Sequence, residues 1–262
     1  LDFVLLKEVI ESDHPDYSVV ILPKAIGNKL AYIAHMLKQV AFIATSRAVV
    51  LDSYCLTVSL LSPHISIPVV QMWHALGLMK QAGYAALEDE QGRSAETAEL
   101  LRMHRGYTSV LVSSNTFRED FARTFDVDPS IVIEAALPRV DLLTDPAIRQ
   151  RRRDAITSEF PSLANGETVV YCPTFRSMPT TRDQIAVCNL ATAIINAGYN
   201  FVYKPHPVSK LKIDDPRIVQ DRSGRVDMLF AADYVITDYS TVMYEAGLME
   251  IPVFLYGYDW ND

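Results

Sequence analysis

Short apolar, β-branched runs alternate along this chain with amphipathic stretches of helical length. Period-two and continuous apolar runs predict strands over 17–22, 48–51, 67–72, 108–113 and 131–134. Helical spacing predicts helices over 29–41, from about 116, and over 146–159. Thr116 and Glu119 stand at the spacing of a capping box, which predicts where the second of these helices starts. The alternation then restarts. Strands are expected over 168–172, 200–204, 234–237 and 252–256, and helices over 182–197, 226–232 and 241–248. Alternating β and α elements imply parallel sheets covered on both faces, an α/β fold. Pro146, an arginine cluster, Pro161 and Asn165-Gly166 punctuate the middle of the chain. A boundary is therefore expected there, with domains over 1–145 and 146–262. Two such halves are expected to face each other across a cleft, where ligands commonly bind.

Composition narrows the function. The 262 residues are 49% hydrophobic and 21% charged, a globular balance. The net charge is -8, with 24 basic against 32 acidic residues, so the basic footprint of a nucleic-acid binder is absent. The basic run 149–153 reads as a solvated helix face, with contact to anionic lipid as the alternative. The three cysteines are few and far apart, which fits a reducing compartment better than a disulfide framework. No pair has zinc-ligand spacing, and the acidic runs Glu88-Asp89-Glu90 and Asp214-Asp215 read as solvated loops, so no metal and no cofactor is expected. No apolar run is long enough to span a bilayer, and no signal peptide is read. The start at Leu1 and the stop just after a strand-like segment lead to the expectation that flanking segments of the natural protein are missing.

Four segments carry candidate chemistry. His206 lies between two prolines in Tyr203-Lys204-Pro205-His206-Pro207. Pro205 fixes its own φ, and Pro207 drives His206 out of the helical region, so the histidine stands on a stiff loop at a strand end. Beside Lys204 it suits an anionic ligand; a rigid turn with a solvated histidine is the alternative. In Gln71-Met72-Trp73-His74-Ala75-Leu76-Gly77-Leu78-Met79-Lys80, small residues allow close backbone approach at a strand-to-helix turn. His74 there is a candidate general base, or a half-buried histidine beside a core tryptophan. Tyr171-Cys172-Pro173-Thr174-Phe175-Arg176 offers Thr174 and Arg176 to a phosphate, or is a proline-terminated strand with a surface arginine. Ile236-Thr237-Asp238-Tyr239-Ser240-Thr241 opens a helix with more hydroxyls than one N-cap needs. That favours a phosphate cradle over ordinary capping by Asp238 or Ser240, with Glu245 one turn in and in reach of ribose hydroxyls. Neither GxGxxG nor a P-loop occurs.

Together these segments resemble the CDP-glycerol glycerophosphotransferase family, the teichoic-acid primases and polymerases of Gram-positive bacteria. The motifs run in the family's order: Trp73-His74-Ala75 with Gly77 and Lys80, Pro138-Arg139-Val140-Asp141, Pro173-Thr174-Phe175-Arg176, Lys204-Pro205-His206-Pro207, and the segment from Ile236 to Glu245. The resemblance implies a GT-B fold of two Rossmann-like domains, an acceptor-side one over 1–145 and a CDP-donor one over 146–262. It implies transfer of glycerol phosphate from CDP-glycerol to a hydroxyl of a lipid-linked saccharide acceptor, with release of CMP, at the inner face of the cell membrane through peripheral contact. His74 is then the base at the acceptor, and His206 stabilises charge at the donor pyrophosphate. Arg139, Pro173, Thr174, Arg176, Lys204, Ser240, Thr241 and Glu245 are the expected donor-binding residues. Ala75-Leu76-Gly77 replaces the Gly-Thr-Pro that polymerases of the family tend to carry and resembles the primase branch. Ser240-Thr241 replaces Ser-Ser, and Ala136-Leu137 replaces Gly-Tyr. A CDP-ribitol donor, a GT-B transferase or epimerase using a UDP-sugar, and a non-enzymatic nucleotide-binding protein are the alternatives.

Overall fold

The structure is a computed structural model, and it describes residues 1–23, 28–79, 81–87, 93–176, 178–206, 209–221 and 226–259. Lys80, Glu88-Asp89-Glu90 and Pro207 lie outside the described residues. The chain divides into two units, Asp2–Pro138 and Arg139–Asp262.

The first unit begins with α1 (Asp2–Asp13) and α2 (Lys29–Thr45). Then follow β1 (Val49–Leu51), α3 (Leu56–Leu61), β2 (Val69–Gln71), α4 (Ala95–Leu100), β3 (Ser109–Val112), α5 (Arg118–Phe125) and β4 (Val132–Glu134). The four strands form one parallel sheet in the order β1-β2-β3-β4. Val69, Val110, Val112 and Val132 pack against Phe121 and Phe125 of α5 and Val58 of α3.

The second unit holds α6 (Arg139–Thr144), α7 (Pro146–Glu159), β5 (Thr168–Cys172), α8 (Thr181–Asn196), β6 (Asn200–Tyr203), β7 (Val219–Gln220), β8 (Tyr234–Thr237), α9 (Val242–Leu248) and β9 (Val253–Leu255). Its sheet is also parallel, in the order β7-β6-β5-β8-β9. Every residue of the central strand β5 is buried, because both faces of the sheet are covered. Side chains alternate across the pleat. Val170, Cys172, Val202 and Val235 face Ile156 of α7 and Ala246 of α9. Val169, Tyr171, Phe201 and Tyr203 face Val187 and Ala191 of α8. Each fully buried side chain of this kind stabilises the fold by about 1.5–3 kcal/mol.

Several local expectations fail for identifiable reasons. Residues 17–22 pair with no strand among the described residues: the Val19 N–H donates to Glu11 Oε1 at 2.8 Å, and Lys7 Nζ donates to the Val19 carbonyl at 2.9 Å. Side chains of α1 thus satisfy backbone groups that a sheet would otherwise need. Thr116 and Glu119 form no capping box; Ser114 accepts from the Thr116 N–H, and a 3-10 turn over Asn115–Phe117 precedes α5. The reciprocal box lies instead at Thr180 and Asp183, at the start of α8. Residues Val226–Ala231 form a 3-10 helix where an α-helix is expected. The second unit begins at Arg139, and Leu143 of α6 joins the core built on β5 and β8.

In the basic run Arg151 and Arg152 are exposed, as expected of a solvated face, but Arg149 and Arg153 are not. Arg149 donates to the Met249 carbonyl at 2.8 Å, and Arg153 grips Asp233 with two bonds of 2.9 Å. Asp233 also accepts from the Thr168 N–H at 2.8 Å, so one carboxylate joins α7, the start of β5 and the start of β8. Burial raises the Asp233 pKa, but the hydrogen bonds from Arg153 and Thr168 outweigh it and hold the carboxyl below its ordinary value. Asp233→Asn is therefore expected to cost about 1.5–3 kcal/mol near neutral pH, read as a lower denaturant midpoint. A depressed carboxylate stabilises above the unfolded pKa of about 3.9, so the gap between the two proteins should narrow as pH falls below that value. An equal gap at pH 3 and pH 7 would refute the assignment.

Candidate active site

In the first unit, β2 ends at Gln71 and delivers Trp73 and His74 to the carboxyl edge of the sheet. His74 is exposed, and its Nδ1 lies 2.8 Å from the Asp52 carbonyl. A carbonyl only accepts, so Nδ1 carries the proton and Nε2 is the basic nitrogen of the ring. The imidazole rests on the Trp73 indole, with ring centroids 4.2 Å apart, and the indole packs edge-on against Phe125 at 5.2 Å. The expected strand-to-helix turn differs. Leu76 and Gly77 are buried in irregular chain, and no helix starts there among the described residues, so no helix N-terminus faces His74 from that segment.

In the second unit, the register pairs Cys172 with Thr237 and Tyr203 with Gln220. Strand ends that lie side by side bring their following residues together. Thr174 and Asp238 meet this way: the Thr174 N–H reaches the Asp238 carboxylate at 2.9 and 3.1 Å, and the Thr174 hydroxyl donates to it at 2.6 Å. Lys204 and Asp221 meet likewise, with Nζ donating at 2.8 Å.

Arg176 is neither a surface arginine nor an open phosphate fork. Its guanidinium bonds Asp259 at 2.5 and 3.0 Å, Asp238 at 3.2 Å and the Thr174 carbonyl at 3.1 Å. Asp183 lies 3.3 Å from Nε, and the group sits over the Tyr258 ring at 5.0 Å. Burial works to lower the Arg176 pKa, but the hydrogen bond to Asp259 and the surrounding negative charges raise it above the ordinary value.

His206 is exposed at the end of β6, with its ring 5.0 Å from Phe175. Loss of solvent on the covered side lowers its pKa, which favours the neutral ring. His206, Pro173, Thr174 and Arg176 line one small cavity with Tyr171 and Ser209. Ser240 Oγ lies 3.5 Å from the Val242 N–H, while Thr241 makes no side-chain cap to α9. Glu245 is buried and pairs with Arg139 at 3.6 Å. The structure thus gathers Pro173, Thr174, Arg176 and His206, pairs Arg139 with Glu245, and commits Lys204 to Asp221.

Sequence reasoning treated Asp238 as a possible helix cap and missed its central place. It is almost fully buried and accepts from Thr174, Arg176 and the Tyr239 N–H. The signal was its position directly after β8, the neighbour of β5. Among the described residues no group of His, Cys, Asp and Glu side chains is arranged to hold a metal ion.

Residues 2–262 match the family described as CDP-Glycerol:Poly(glycerophosphate) glycerophosphotransferase. The chain belongs to this family. It is 28% identical over 241 residues to the teichoic acid poly(ribitol-phosphate) polymerase of Bacillus spizizenii, covering 88% of this chain and 38% of that protein. It is 26% identical over 237 residues to the teichoic acid glycerol-phosphate primase of Bacillus subtilis, covering 86% of this chain and 59% of that protein. Among solved structures, the wall teichoic acid polymerase TagF superposes with a TM-score of 0.74 at 18% identity, over 98% of this chain and 66% of that one. The fold is accordingly of the GT-B class, with two Rossmann-like units. The chain spans between about a third and two thirds of the length of these family members. No helix among the described residues is long and apolar enough to cross a membrane.

Arg176→Lys keeps the charge but lacks the planar fork that reaches several carboxylates at once. It is expected to lower stability by about 1–3 kcal/mol, measured as a shift in thermal midpoint at pH 7. An unchanged midpoint would show that the three aspartates do not depend on the guanidinium.

Proposed function

We propose that this chain is the catalytic part of a transferase that moves glycerol phosphate from CDP-glycerol to a hydroxyl of a lipid-linked saccharide acceptor in teichoic-acid synthesis. The family match over residues 2–262 carries this reading. The acceptor oxygen bonds to the phosphorus that bears glycerol, the bond from that phosphorus to the CMP oxygen breaks, and CMP leaves. The acceptor proton passes to Nε2 of His74, the nitrogen left basic by the Nδ1–H bond to Asp52. His206, whose pKa is lowered by partial burial, donates a hydrogen bond to oxygens of the donor diphosphate as charge develops there.

Arg139, Pro173, Thr174, Ser240, Thr241 and Glu245 contact the donor in this reading. Arg176 and Lys204 brace the donor loops through Asp238, Asp259 and Asp221. The poly(ribitol-phosphate) polymerase among the relatives supports CDP-ribitol as the second donor reading. The UDP-sugar alternative gains nothing from the family match.

The same reading places the protein at the cytoplasmic face of the membrane by peripheral contact. The exposed apolar row Leu30, Ile33, Leu37 and Val40 on α2, flanked by Lys29 and Lys38, supports it.

CMP release from CDP-glycerol and CDP-ribitol, with and without a lipid-linked disaccharide, tests the activity. His74→Ala is expected to slow release by about 10²–10⁴-fold, and His206→Ala by about 10²-fold, both at wild-type thermal stability. Absence of CMP from either donor would overturn the reading. For the membrane contact, Leu30→Glu with Leu37→Glu should reduce flotation with phosphatidylglycerol-rich vesicles several-fold; equal flotation would remove α2 from the contact.

A further inference from the structure

Gln71 is the last residue of β2 and is fully buried. A buried amide must find partners for its donors and acceptor. Its Nε2 donates to the Ser53 carbonyl at 3.2 Å and to the Tyr107 hydroxyl at 3.0 Å, and its Oε1 accepts from the Trp73 N–H at 2.9 Å. The Ser53 carbonyl only accepts and the Trp73 N–H only donates, so these two backbone partners fix which way the amide points.

The positions of those partners are informative. Trp73 directly precedes His74. Ser53 directly follows Asp52, whose carbonyl takes the His74 Nδ1–H at 2.8 Å. One amide therefore holds both chain segments whose separation sets the His74–Asp52 bond. Trp73 also has φ of 60°, a left-handed conformation uncommon for a large side chain. Such strain persists only where surrounding contacts over-determine it. Here the bond to Gln71 and the packing on Phe125 do so.

The amide is itself held from behind. The Tyr107 hydroxyl lies 2.9 Å from Nδ1 of the buried His104. Burial, then the charge of Arg93, pushes His104 down to about 4, so the ring is neutral at pH 7. A neutral ring can take the Tyr107 proton at Nδ1 while the hydroxyl oxygen receives the Gln71 N–H.

We propose that Gln71 is a positioning residue for the transfer reaction: by gripping the Trp73 N–H and the Ser53 carbonyl with one amide, it sets the Nδ1–H tautomer and the orientation of His74. This rests on the reading of His74 as the acceptor base, and the test separates the two.

Protein labelled with 15N-histidine reports the tautomer of His74 without substrate, the resonance being assigned by its loss in His74→Ala. Wild type should show the Nδ1–H pattern. Gln71→Met keeps length and approximate volume but has no amide. It should give a mixed or Nε2–H pattern, with kcat lower by about 10–10²-fold and donor KM within about twofold. Gln71→Asn carries the same group on a shorter stem, retains at most one backbone bond, and should show a smaller change in both. It decides the matter if Gln71→Met does not fold. An unaltered Nδ1–H pattern in a folded variant overturns the inference, whatever kcat does. A shifted tautomer with unchanged turnover shows that Gln71 orients His74, removes His74 from the chemistry and overturns the role of Gln71 in the transfer reaction.

Discussion

A buried carboxylate, Asp238, is the constraint on which the second unit's candidate site depends. Its side chain is shut off from solvent, and a charge in that position is costly unless donors surround it. Four donors do: the Thr174 N–H and hydroxyl, the Arg176 guanidinium and the Tyr239 N–H. Each belongs to a loop at the carboxyl edge of the sheet, so satisfying one charge fixes the loops after β5 and β8 together. Arg176 extends the network to Asp259 and Asp183, and Asp183 is at once the capping-box partner of Thr180 and the acceptor for the Tyr258 hydroxyl. The loop carrying Pro173 and Thr174, the start of α8 and the segment after β9 are thereby one electrostatic assembly.

The two units solve the same problem with different chemistry. In the second, charges at strand ends are neutralised by opposite charges on adjacent strand ends. Lys204 finds Asp221, and Asp238 finds Arg176, because the parallel register places them side by side. In the first, a neutral amide does the bracing at the end of β2, and its partners are backbone groups and a tyrosine. A neutral brace leaves the field around His74 free of a buried fixed charge from that side chain. A charged brace suits loops proposed to meet a diphosphate, where cations already held by aspartates keep their geometry when the anion arrives.

Much of this was legible in the residues. The apolar runs located most of the strands, and Pro146–Glu159 was read with its observed bounds. The stiff loop at His206 and the tryptophan–histidine pair were conspicuous from proline and aromatic placement alone. The roles of two arginines in the basic run were not. Arg149 and Arg153 look solvated in a polar helix, yet they turn to the Met249 carbonyl and to Asp233, both distant in sequence. Asp238 hides its role for the same reason. Next to a helix start it reads as a cap, and only strand pairing reveals Thr174 as its partner.

Periodicity and motif order are properties of neighbouring residues, so the alternation of elements, the order of the motifs and the family are legible in the chain alone. Tertiary structure alone decided which candidates are exposed and which are spent on one another. Thr174, Arg176 and Lys204 looked equally ready for an anion, yet each already bonds an aspartate brought from 17 to 83 residues away. The Nδ1–H of His74 likewise points to a carbonyl 22 residues earlier in the chain. The physical reason is common to all of them: a hydrogen bond or ion pair depends on distances of about 3 Å, and only the register of the two parallel sheets sets those distances.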